Sequence, residues 1–219
     1  PVRKALDDYY DLTQYLEKSA IDNDAFAALK NIRKQGAALI GARSDEVGFG
    51  FSTAFGLNIA AFGLPLKKGD EILLSDIEFP ANVYPWLALK ERGIKVKFIR
   101  SEERCLDIDN FIKAIGPKSK VLSLSFVQFF NGYKNNLEEI GRICKERGLY
   151  FVVDGIQGCG VESIDVNKCQ IDILSSGAQK WLLSPLGTGF FYVRADLRPK
   201  LNFAFASWLS VDWKLNFTD

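Results

Sequence analysis

From Gly41 onward the sequence alternates short apolar runs, each closed by turn residues, with longer amphipathic stretches, and no other feature limits its fold so strongly. Runs of this length are strands rather than helices, and those apolar at consecutive positions are strands buried on both faces. A helical stretch between successive runs is what a crossover between parallel strands requires. The rhythm is therefore that of an α/β domain with a mostly parallel sheet of about seven strands flanked by helices. The spacing predicts strands over Glu46–Phe49, Glu71–Ser75, Lys95–Ile99, Val121–Phe126, Tyr150–Val153, Ile171–Leu174 and Gly189–Val193. It predicts helices over Ala54–Gly63, Ala81–Arg92, Asp109–Ile115 and Leu137–Arg147. Arg92-Gly93 and Arg147-Gly148 each put a cation and then a glycine where a helix should end.

Before this rhythm, Leu6 to Ile40 carries apolar residues at helical intervals, with a turn expected at Ile21-Asp22-Asn23-Asp24. The chain thus divides into a helical segment, 1–40, and one α/β domain, 41–219. Beginning at Pro1 and ending at Asp219 without a closing helix, it reads as part of something longer.

Composition removes several functions. Twenty-eight Lys and Arg against 27 Asp and Glu leave no global field for nucleic acid or an anionic membrane, so a small molecule is the expected partner. No apolar run approaches the roughly 18 residues of a membrane span. With no histidine, a His-based zinc site and a Ser-His-Asp triad are impossible, and acid–base work falls to Lys, Asp, Glu, Tyr or Cys. The four cysteines form no CxxC pair, and the start is charged and polar, which points to a reduced, cytoplasmic setting.

Ligands of open α/β sheets bind beyond the carboxyl ends of the strands, and four places there carry chemistry. Asp154 ends the apolar run Leu149–Val153: it either caps a turn or is a buried carboxylate in need of a cation. Lys180 follows small residues and precedes Trp181-Leu182-Leu183. It is either a surface charge or an inward lysine whose lowered pKa suits attack on a carbonyl. Ser52 and Thr53 open a helical stretch as an ordinary cap or as an anion site, without the GxxxxGK[ST] pattern of a P-loop. Phe79 is either core or a flat face for a planar cofactor.

Taken in order, Val153-Asp154-Gly155-Ile156-Gln157, Gly177-Ala178-Gln179-Lys180-Trp181-Leu182 and Gly187-Thr188-Gly189-Phe190-Phe191-Tyr192-Val193-Arg194 resemble the class V aminotransferase family. These are fold-type I pyridoxal 5'-phosphate (PLP) enzymes, which include cysteine desulfurases, selenocysteine lyases and isopenicillin-N-epimerase-like proteins. The resemblance runs from about Val47 to Val211. It implies the large domain of that fold, with one antiparallel strand, in a homodimer acting on an amino acid by transamination or by epimerase- or lyase-like chemistry. It implies that Lys180 holds PLP as a Schiff base and moves the substrate's α-proton, while Asp154 keeps the ring nitrogen protonated.

The same resemblance implies that Gln157 sits near the phenolic oxygen. Ser52, Thr53 and Ala54 would cup the phosphate, helped by Ser176 and Gln179, while Phe79 covers the ring and Gln128 faces the same pocket. Phe79 falls where desulfurases carry a histidine, and a phenylalanine cannot shuttle a proton. Two alternatives remain: a catalytically silent PLP-fold protein, or a desulfurase or selenocysteine lyase whose reactive cysteine lies beyond Asp219. The family's smaller C-terminal domain would also lie there. Cys159 and Cys169 read as small core residues, and Arg194 as a surface charge.

Overall fold

The computed structural model describes residues 1–15 and 18–204. Two helices come first, α1 (Val2–Tyr15) and α2 (Lys18–Ile40). The expected turn is not there: α2 is helical through Ile21-Asp22-Asn23-Asp24. Asp and Asn each cost a helix interior at most about 0.7 kcal/mol, so the longer helical periodicity prevails. Among the described residues, α2 joins the core at its end, through Ala37 and Ile40.

The rest is a seven-stranded sheet: β1 (Val47–Gly50), β2 (Glu71–Ser75), β3 (Lys95–Ile99), β4 (Ser119–Ser125), β5 (Tyr150–Asp154), β6 (Ile173–Gly177) and β7 (Gly189–Val193). Their spatial order is β1-β7-β6-β5-β4-β2-β3. The strands from β2 to β6 run parallel, and β7 alone runs against both of its neighbours, β6 and β1. Between β1 and β2 comes α3 (Thr53–Gly63); α4 (Tyr84–Leu87), α5 (Ile108–Ala114) and α6 (Leu137–Glu146) follow in the later crossovers.

Strand alternation sends side chains to two cores. Ile72, Leu74, Val121, Val152 and Ile173 face the layer that holds α3, Trp86 and Leu89. Leu73, Leu122, Phe151, Val153 and Leu174 face the layer of α5, α6 and the end of α2. Helix α6 shows how its sequence selects this packing: Asn136 caps it by accepting the Glu139 N–H, and Leu137, Ile140, Gly141 and Cys144 make one buried stripe. Gly93 and Gly148 both adopt the left-handed conformation at helix ends, with φ of +75° and +66°. The edge strand β3 exposes Lys95 and Lys97, which discourages pairing with another chain.

Two boundaries depart from expectation for clear reasons. The helix expected over Ala81–Arg92 is a 3-10 turn (Pro80–Asn82), α4, and a second 3-10 segment (Ala88–Arg92). Pro85 supplies no N–H and interrupts a continuous α-helix. Strand β6 starts at Ile173 and runs on through three small residues to Gly177, because Ser175, Ser176 and Gly177 pair with Phe191, Phe190 and Gly189 of β7. Arg194 is not a free surface charge; it bridges Asp172 at 2.8 Å and Asp196 at 2.5 Å. Cys159 is core, whereas Cys169 is half-buried against it.

Candidate functional site

After β2 the chain fills the edge of the sheet with β3, then returns to lay β4 on the other side of β2. This reversal opens a crevice beyond the carboxyl ends of β2 and β4. A cleft of about 140 Å³ lies there. The end of β2 contributes Phe79 and Ala81; the end of β4 contributes Ser125, Val127 and Phe129. From β5 come Asp154, Ile156 and Gln157, from beyond β6 Gln179 and Lys180, and from the start of α3 Thr53. Among the predicted residues, Thr53, Phe79, Asp154, Gln157, Gln179 and Lys180 are thus gathered from four separate segments.

Thr53 fastens the first turn of α3 to the sheet. Its Oγ1 accepts the Gly177 N–H at 2.8 Å, and its carbonyl accepts Ser175 Oγ–H at 2.7 Å. Helix and strand meet this closely because Gly56 has no side chain: a Cβ there would lie 2.4 Å from Ser175 Oγ. Ser52 is the N-cap, its Oγ accepting the Phe55 N–H at 3.3 Å. The first turn of α3 consequently aims its N–H groups and the positive end of its dipole toward the cleft wall that Thr53 forms.

Asp154 is 2% exposed, and its Oδ1 accepts the Ile156 N–H at 3.0 Å. Burial raises its pKa to about 7; the Glu78 carboxylate adds to the rise, while the Ile156 N–H and the Lys180 charge oppose it. Lys180 itself is exposed, not the inward, buried lysine that its flanking residues predict. Strand β6 ends at Gly177, so Lys180 stands past the sheet on the rim of the cleft. Trp181 and Leu183 are exposed beside it, and Leu183 holds a φ of +54°, a conformation costly for a leucine.

Phe79 meets the ring of Phe129 edge-on, with centroids 5.0 Å apart, and the two form an aromatic wall. Four predicted residues do not line the cleft. Ser52 and Ala54 lie in the turn behind Thr53, and Ser176 points Oγ to the Gly177 carbonyl at 3.0 Å. Gln128 is buried, with Nε2 donating to Glu78 Oε1 at 3.0 Å and Oε1 unpartnered. Gln179 Oε1 is a second buried acceptor without a partner.

Sequence reasoning passed over Glu78, Asn82 and Ser125, which form a buried polar network against this cleft. The signal was present in Asp76-Ile77-Glu78 directly after a buried strand, at the position that singled out Asp154. A larger depression of about 450 Å³ adjoins α6, but its lysines are already paired, Lys134 with Glu162 and Lys168 with Glu138.

The chain is similar to known proteins in sequence and in fold. A probable cysteine desulfurase of Pyrococcus abyssi is 32% identical over 203 residues, 90% of this chain and 50% of that protein. An uncharacterised aminotransferase of Bacillus subtilis is 30% identical over 211 residues, 95% of this chain and 55% of its own. The apo structure of a cysteine desulfurase from Thermococcus onnurineus superposes with a TM-score of 0.85 at 30% identity, covering 92% of this chain and 52% of that one. The chain spans about half the length of the relatives it matches. The family model for aminotransferase class-V matches residues 1–208, and with these relatives it establishes that the chain belongs to the class V aminotransferase family.

Proposed function

We propose that the cleft binds PLP and that the protein acts on an amino acid through Lys180, by transamination or by epimerase- or lyase-like chemistry. The observation that carries this reading is the meeting, in one cleft, of a buried carboxylate at the end of β5, a lysine past β6 and the start of α3. The residues present fit the group. Asp154 is a buried carboxyl that accepts one backbone N–H and whose proton affinity is raised by burial, so it suits a ring nitrogen that brings a proton. Gln179 Oε1 is an orphaned buried acceptor among the cleft's lining residues, and Phe79 adds an aromatic face to the same lining.

When bound, PLP supplies an electron sink for the charge that develops at the substrate's α-carbon. Lys180 would provide the amine that holds the cofactor, and its Nζ would be the base that moves the substrate's α-proton. Its exposure at the rim suits that second task, since an incoming amino acid must reach it. Asp154 would hold the proton on the ring nitrogen, and Gln157, on the same stretch of the lining, would meet the phenolic oxygen. Thr53 and the first turn of α3, which Ser52 caps, would bind the phosphate, with that turn fastened to β6 through Ser175 and Gly177. Phe79 covers the ring without offering a proton, which favours chemistry that needs no imidazole there over the desulfuration named in several relatives.

On the same reading, residues 1–40 are a helical extension of the PLP domain, 41–219, in a cytoplasmic homodimer with neither nucleic acid nor membrane as partner. Among the described residues no helix is long and apolar enough to cross a membrane. Exposed Trp181, Leu183 and Leu186 beside the site offer apolar area for a second copy.

Adding PLP should give a visible absorbance band and, after borohydride reduction, a stable adduct on the peptide that contains Lys180. Lys180→Ala should lose the adduct while still binding PLP weakly. An adduct that persists in Lys180→Ala would overturn the assignment.

A further inference from the structure

Glu78 precedes Phe79 just past the end of β2, and it is 8% exposed. Its carboxylate accepts Asn82 Nδ2–H at 2.9 Å, Gln128 Nε2–H at 3.0 Å, the Ser125 N–H at 3.0 and 3.1 Å, and Ser125 Oγ–H at 2.6 Å. Every partner is a donor, which is the environment of an anion, and among the described residues no cation is paired with it. Asn82 extends the clamp by accepting from Ser123 Oγ at 2.5 Å and Trp86 Nε1 at 3.5 Å.

Two consequences follow. The first is mechanical: Phe79 and Ser125 both line the cleft, from the ends of the neighbouring strands β2 and β4, and Glu78, next to Phe79, ties those two segments together. A carboxylate only accepts, so it also dictates that Gln128 presents its amide NH₂ inward, which leaves Oε1 as the free acceptor. The second is electrostatic. Ser125, which Glu78 holds, is paired with Asp154 across β4 and β5, so the Glu78 charge opposes the ionisation of Asp154, while Lys180 is the cation that favours it. Burial pushes Glu78 above the ordinary carboxylate range, while its four donors pull it back.

We propose that Glu78 is a positioning residue that clamps the β2 and β4 walls of the cleft and, as a second negative charge beside Asp154, makes the cleft select a protonated ring nitrogen. This rests on the reading of the cleft as a PLP site. The titratable groups concerned are Glu78 itself, Asp154 at the end of β5, Lys180 beyond β6 and the thiol of Cys159, which lies against Asp154.

The test is a PLP titration of the full chain, following the visible band across neutral pH, for wild type, Glu78→Gln and Glu78→Asp. Glu78→Gln should bind about tenfold more weakly, the cost of lost bonds to a charged acceptor. Its band should also titrate at a lower pH, because a negative charge has gone from beside the ring nitrogen. Glu78→Asp keeps the charge but is one methylene shorter, so it should bind more weakly with an unchanged midpoint. A purely structural role would lower affinity and melting temperature in Glu78→Gln and leave its midpoint at the wild-type value, which overturns the electrostatic proposal. If Glu78→Gln does not fold, Glu78→Asp decides, and wild-type affinity there overturns the clamp. Wild type that fails to bind PLP removes the cofactor reading itself; wild type that binds while both variants match it removes only this inference.

Discussion

Asp154 shows how one residue's surroundings decide its chemistry. In the last position of a strand between two buried neighbours it cannot be solvated, and its pKa rises from 3.8 to about 7. The raised value has a stability consequence with a definite sign. Between the unfolded and folded pKa values the folded state holds more protons, so this residue's contribution is full in acid and is lost as pH rises toward 7. Cofactor-free Asp154→Asn should lack this slope: relative to wild type, its melting temperature should gain between mildly acidic and neutral pH. Parallel melting curves for the two proteins would show that Asp154 is ionised throughout. The carboxylate was legible in sequence because a buried run ended on it. Its coupling to Glu78 was not, since Glu78 follows β2 while Asp154 ends β5, and only the sheet brings the two segments together.

At the scale of elements, the site depends on how closely α3 approaches β6. Gly56 permits that approach, and a Cβ there would meet Ser175 Oγ at 2.4 Å and Phe191 Cβ at 2.8 Å. Gly56→Ala should therefore push the first turn of α3 off the sheet, weakening PLP binding and destabilising the fold by about 1–3 kcal/mol. Gly141 makes a comparable contact far from the cleft, where a Cβ would lie 1.8 Å from the Cys169 carbonyl. Gly141→Ala should cost as much stability or more, about 1–3 kcal/mol, without altering PLP affinity in the protein that remains folded. Melting curves paired with cofactor titrations separate the two. If both variants lose affinity in equal measure, the contact at Thr53 is not what shapes the phosphate end. Neither glycine was separable from an ordinary helix-interior glycine in sequence, because both constraints come from another segment.

For the whole molecule, apolar side chains crowd the loops beside the site: Leu183 and Leu186 are 76% and 84% exposed, with Trp181 half out of its surroundings. Such surface is unusual for a chain that works alone. On the reading given above a second copy covers it, so sedimentation should return a dimer, and Leu186→Lys should shift it toward monomer with the PLP cleft intact. A wild-type monomer loaded with cofactor would sink the dimer reading.

The layers, the parallel sheet and most element boundaries were determined by the sequence alone, because periodicity and turn chemistry act over a few residues. Strands β2, β3 and β7 lie where spacing predicted them. Asp154 and the cap at Ser52 were legible for the same local reason. Only the tertiary structure decided that Lys180 stands on a rim rather than in a core, since burial depends on what the rest of the chain packs around a side chain. It alone brought Glu78 to Ser125, 47 residues away, and thereby gave the cleft two carboxylates where the sequence had pointed to one.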